Sequence, residues 1–201
     1  MKRNYKSTVN ACFAGYVVQS IVNNFVPLLF LTFNKSYGIE LSKITALITV
    51  NFILQLIIDL LSAFFIDKIG YRAAAVAAHV FAAAGLVSLT VLPDILPSPF
   101  VGLLISVMLY AVGGGLLEVI VSPIVEACPT DNKEKMMSLL HSFYCWGSVA
   151  VVGLSTLYFS VFTTANWKYL ALLWAVVPAV NALNFVRVPI APLLEEGEKG
   201  L

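Results

Sequence analysis

Long apolar stretches alternate with short polar breaks along the whole chain. The apolar runs cover about residues 9–33, 43–66, 73–93, 99–127, 136–161 and 168–187. Each is long enough to cross a hydrocarbon core, for which a helix needs about 20 residues. The breaks read NKSYGIELSK, DKIGYR, PDILPSP, CPTDNKEK and TTANW, and the last run passes into RVPIAPLLEEGEKGL. Charge, proline and glycine concentrate there, as they do where helices stop. A membrane β-barrel would instead show segments of about ten residues with alternating polarity. The pattern therefore predicts an all-α membrane protein of six transmembrane helices. Residues 1–188 form the helical bundle and residues 189–201 begin a polar loop.

Composition strengthens this reading. The chain is 60% hydrophobic and 11% charged, against roughly 25% charged in soluble domains, too little polar surface to face water all round. Net charge is +1 and no basic stripe is present, so no nucleic acid partner is expected. Cys12, Cys128 and Cys145 lack metal-ligand spacing and read as small apolar fillers, so neither metal nor cofactor is expected. The basic start MKRNYK precedes an apolar region without a clear cleavage site, which fits a retained first span. Nucleophile–base patterns and phosphate-cradling loops are missing, and GGGLLE lies inside an apolar span rather than after a strand. The chain is not expected to be an enzyme.

Lysine and arginine set the orientation, since cytoplasmic loops carry their excess. With the N-terminus inside, the inner segments hold Lys2, Arg3, Lys6, Lys68, Arg72, Lys133, Lys135, Arg187 and Lys199, and the outer loops only Lys35, Lys43 and Lys168. Both termini are expected in the cytoplasm, with DKIGYR at the inner face between the second and third spans.

That turn carries a family resemblance. AFFIDKIGYR, Ala63 to Arg72, resembles the signature of the major facilitator superfamily: glycine, three residues, aspartate, a basic residue, any residue, glycine, two basic residues. Asp67, Lys68, Gly70 and Arg72 match; Ala63 stands for the first glycine and Tyr71 for a basic residue. SPIVEACPTDNKEKMMSLLHSFYCWGSVAV, Ser122 to Val151, resembles the fourth-to-fifth-span passage of bacterial members similar to fucose permease. The resemblance covers essentially the whole chain but only half of a full member, which has two six-helix bundles, each of two inverted three-helix repeats. It implies the N-terminal bundle of a transporter of a sugar or similar small polar solute, coupled to protons, in the bacterial inner membrane. The expected partners are the solute, H+, the lipid bilayer and a second six-helix bundle, either a C-terminal half or another copy. An efflux antiporter for amphipathic compounds and a non-transporting six-helix module remain alternatives. Asp67, Lys68, Gly70 and Arg72 then form a conformational gate, with Glu126 joining their charge network. The family's second-bundle partner for the aspartate and its frequent fourth-span arginine are missing from this chain.

Ionisable groups inside a span are costly and tend to face a cavity or a partner. Glu118, in the middle of the fourth span after Gly113, Gly114 and Gly115, is the leading candidate for substrate binding and proton coupling. The glycines fit either close helix packing or a bend. Asp59, two turns from Asp67 on the second span, is a second protonatable candidate or a partner for His79. Gln19 and Asn23 share one helix face at i and i+4, as do Asn51 and Gln55, and Asn24 adjoins the first pair. These amides can bind solute hydroxyls or join helices to one another, and both readings stay open. On the fifth span His141, Tyr144 and Ser148 lie along one face, with Trp146 turned away. Tyr144 is the candidate for a solute hydrogen bond, and His141 for gating or anchoring.

Overall fold

In a computed structural model the structure describes residues 5–192. The acidic tail at 193–201 and three of the basic residues used for orientation, Lys2, Arg3 and Lys199, lie outside the described residues. The helices are α1 (Lys6–Asn24), α2 (Phe30–Tyr37), α3 (Leu41–Ile69), α4 (Tyr71–Ile95), α5 (Pro99–Ala127), α6 (Lys133–Phe162) and α7 (Trp167–Arg187). No strand occurs among the described residues. Six stretches are long and apolar enough to span a membrane: Lys6–Tyr37, Leu41–Ser62, Tyr71–Ile95, Pro99–Ala127, Lys133–Phe162 and Thr164–Arg187. The first of these is a broken helix, with a 3-10 turn at Val26–Leu29 between α1 and α2. Pro27 explains the break, since it has no N–H to give to the preceding turn.

The connections are tight. Gly70 is the single residue between α3 and α4; its N–H donates to the Ile66 carbonyl at 2.8 Å and its own carbonyl accepts from Ala74 N–H at 3.1 Å. Its φ of 83° belongs to the region that side-chain-bearing residues avoid. The glycine of the signature therefore makes the one-residue turn possible. The start of α6 is capped by Asn132, whose side chain accepts from Lys135 N–H at 2.8 Å, satisfying a donor the helix leaves open.

α1 and α5 form the centre of the bundle. α4 packs on α5 and α7, α3 packs on α5, and α1 packs on α5 and α6. The first span thus meets the fifth as the fourth meets the second, the pairing expected of two three-helix repeats related by a two-fold axis. The glycine triplet of α5 serves this packing. A Cβ on Gly113 would lie 2.5 Å from the Ala78 carbonyl oxygen, and one on Gly115 2.9 Å from that of Gln55. α5 runs unbroken through all three, so close approach of backbones, rather than a bend, accounts for them.

Polar ties fasten both ends. Tyr37 donates to Asp94 at 2.9 Å, and Asp94 pairs with Lys168, joining the first, third and sixth spans. At the opposite end Arg72 Nη1 donates to the carbonyls of Phe185 and Val186 at 2.7 and 2.9 Å. His79, fully buried, ties α4 to α7. Its Nδ1 faces the Ala75 carbonyl at 2.7 Å, and its Nε2 faces the Asn181 amide nitrogen at 2.7 Å. A carbonyl only accepts and an amide N–H only donates, so the ring is a neutral Nδ1–H tautomer. Asn181 also donates to the Ala11 carbonyl at 2.9 Å. The expected pairing of His79 with Asp59 is therefore corrected: both ring nitrogens are taken, and Asp59 is exposed on another face.

Candidate functional site

A cleft of about 720 Å³ opens between α1, α3, α5 and α6. Helical spacing brings its walls together. α1 supplies Tyr16, Gln19 and Asn23, at i, i+3 and i+7 of one face, and α5 supplies Glu118 and Ser122 at i and i+4. From α3 come Gln55 and Asp59, with the apolar Phe52 and Leu56 beside them, and from α6 His141, Tyr144 and Cys145.

The amides form a continuous network. Gln19 Nε2 donates to Gln55 Oε1 at 3.1 Å and reaches Glu118 Oε2 at 3.5 Å. Gln55 Nε2 donates to Asn23 Oδ1 at 2.8 Å and to Asn51 Oδ1 at 2.9 Å. Asn51 Nδ2 donates to Asn23 Oδ1 at 3.3 Å, and Asn23 Nδ2 to the Tyr144 hydroxyl at 3.3 Å. One chain of hydrogen bonds thus runs from Glu118 to Tyr144 and joins four helices, α5, α1, α3 and α6. Such chains orient every dipole along them. Gln19 is 3% exposed, and its Oε1 has no partner. Tyr16 and Ser122 share a hydrogen bond of 2.9 Å, and the ring of His141 lies 5.5 Å from that of Tyr16.

Of the seven residues expected to bind substrate, Gln19, Asn23, Gln55, Glu118 and Tyr144 meet at the cleft. Asn51 and Asn24 stand behind it. Asn51 is buried and braces Asn23 and Gln55. Asn24 donates to Ser148 Oγ at 3.1 Å and to the Ser20 carbonyl at 2.9 Å, joining α1 to α6. Asp59, the second proton-coupling candidate, lines the same cleft as Glu118. Trp146 is 74% exposed on the far side of α6. Tyr16, Phe52, Leu56, Ser122 and Cys145 escaped the sequence reading. Tyr16 and Ser122 had a usable signal, lying one helical turn from Gln19 and Glu118.

The gate residues collect at the α3–α4 turn without forming the expected charge network. Asp67, Lys68, Arg72 and Glu126 are exposed, and no ion pair joins any of them to another. Arg72 is instead turned to the last carbonyls of α7, which carry the helix's partial negative charge and have no intrahelical donor. Of the two cations expected in that network, Arg72 is thus engaged elsewhere and Lys68 forms no ion pair with Asp67 or Glu126.

The sequence model of the Major Facilitator Superfamily matches residues 11–200. No curated protein matches the sequence. Among solved structures, the fold resembles the inward-open conformation of the xylose transporter XylE from E. coli, at 15% identity with a TM-score of 0.82, covering 94% of this chain and 49% of that one. It also resembles a D-xylose-proton symporter, at 15% identity and a TM-score of 0.80, covering 92% and 48%. The chain thus spans about half the length of these structures, and at these identities the likeness is one of fold.

Proposed function

The chain belongs to the Major Facilitator Superfamily, and from that premise we propose that it is the N-terminal bundle of a proton-coupled transporter of a sugar or similar small polar solute. The observation that carries the proposal is the cleft in which an exposed Glu118 heads an amide chain ending at the half-buried Tyr144. Amides and hydroxyls match the donors and acceptors of a polyol. Glu118 is open to the cleft, where its carboxyl group can accept from solute hydroxyls and take up or release a proton. The solute binds between this bundle and a second one, either a C-terminal half or another copy, and rocking of the two exposes it alternately. Both termini lie in the cytoplasm by the distribution of lysine and arginine, and the membrane is the bacterial inner membrane. Asp67, Lys68, Gly70 and Arg72 act at the inner face, where this bundle meets its neighbour. The distant fold likeness to xylose transporters agrees with a sugar.

Vesicles containing the bundle with its second half test this. In Glu118→Gln, accumulation driven by a proton gradient falls to the level of empty vesicles while solute exchange persists. Unchanged proton-driven accumulation overturns the coupling role. A second reading, efflux of amphipathic compounds, draws on Phe52 and Leu56 in the cleft wall. Ligand-induced thermal shifts over a panel of sugars and lipophilic cations separate the two.

A further inference from the structure

A second concavity, of about 670 Å³, shares no lining residue with the amide cleft and runs along α4 where it meets α7. Its walls are apolar: Ala73, Val76, Ala77, Val80 and Phe81 on α4, with Val186 on α7. At one end stand Gly70 and Arg72. From Ala73 to Phe81 the helix rises about 12 Å, so the groove is a slot along a membrane-spanning helix, closed at one end by a cation. Arg72 is held there, since Nη1 is fixed to the two α7 carbonyls while the remaining guanidinium N–H groups have no acceptor among the described residues. Lys68 and Arg187 are exposed and adjoin the same end in sequence, two residues from Gly70 and one from Val186. Asp67 is the acid nearest in sequence.

We propose that this groove is a binding site for an anionic phospholipid, with one acyl chain along Val76, Val80 and Phe81 and the phosphate against Arg72. Charge complementarity selects the occupant. A neutral acyl chain alone leaves the guanidinium unused, and a soluble anion leaves the apolar slot empty. A phosphodiester on a lipid tail satisfies both, and guanidinium N–H groups match phosphate oxygens in geometry. Basic pockets between membrane helices are suited to such head groups. Because Arg72 is also the tie between α4 and α7, an anionic head group there clamps the α3–α4 turn to the last span.

The test is native mass spectrometry of the purified chain with phosphatidylglycerol and phosphatidylcholine of matched acyl chains. Phosphatidylglycerol should be retained preferentially, and Arg72→Gln should cut that preference about fivefold, the worth of one basic contact at a membrane surface. Ala77→Phe, which leaves the Arg72 bonds in place but fills the slot, should reduce retention of the same lipid. It keeps the test open if Arg72→Gln fails to fold by circular dichroism. Equal retention of the two lipids by the wild-type chain overturns the proposal. So does undiminished phosphatidylglycerol retention in Ala77→Phe, which would reduce the effect to surface charge.

Discussion

Gly70 carries the one-residue connection between α3 and α4 on one dihedral angle. At φ 83° and ψ 145°, with nothing within 4 Å of an added Cβ, the obstacle to any other residue is backbone strain rather than space. Gly70→Ala should therefore cost about 1–3 kcal/mol, read as a lower unfolding temperature in detergent; an unchanged temperature would show that the turn tolerates a Cβ. The cysteines give a second residue-scale expectation. Cys12 and Cys128 are buried and Cys145 is exposed at the cleft. Burial also pushes the Cys128 thiol above its ordinary value, so raising the pH to about 8 leaves it mostly thiol rather than reactive thiolate. A maleimide should modify one cysteine per chain, and Cys145→Ser should abolish the reaction. Two modified thiols would mean that the core opens.

Helix contacts divide the glycines into two kinds. Gly113 is pressed against α4, and an added methyl meets backbone that cannot turn aside. Gly153 on α6 has nothing within 4 Å of an added Cβ. Gly113→Ala should destabilise by about 1–3 kcal/mol through overpacking. Gly153→Ala should be neutral or stabilise by up to about 1 kcal/mol through helix propensity alone. Thermal unfolding of both variants in the same detergent checks the contrast, and equal shifts would contradict the packing assigned to α5. The six spans were legible in the sequence because lipid leaves backbone groups no partner outside the helix, so apolar length alone predicts them. The interruption of the first span was less so, since prolines also sit within α4, α5 and α7 without ending those helices.

For the whole molecule, the open cleft face is the feature with the largest consequence. α3 and α6 flank it and expose Phe52, Leu56, Leu60 and Leu154. An apolar face of this kind around a polar cleft is the mark of an interaction surface. The protein component in mild detergent should therefore have at least twice the mass of one chain by light scattering, unless a second bundle is supplied. A stable single-chain mass would show that the face needs no protein cover. The two ends of the bundle carry different ties, and the Asp94–Lys168 pair, partly exposed on both sides, should contribute no more than about 1 kcal/mol.

By itself the sequence determined the number of membrane spans, their helical class, the turn glycine and which polar side chains share a face, because helical period and membrane thickness are local constraints. It also marked Glu118 and the amide pairs as the costly groups of the spans. Only the tertiary structure decided which of them face the cleft. Helical period leaves the rotation of each helix about its axis undetermined, and that rotation follows from where α5 can approach α3 and α4 through its glycines. So Gln19, Asn23 and Gln55 open to the cleft while Asn51 and Asn24 brace it. His79 finds Asn181 on α7 rather than Asp59 on α3, and Arg72 finds the carbonyl end of α7 rather than an acid. Each of these partners lies more than 100 residues away in sequence, beyond the reach of any local pattern.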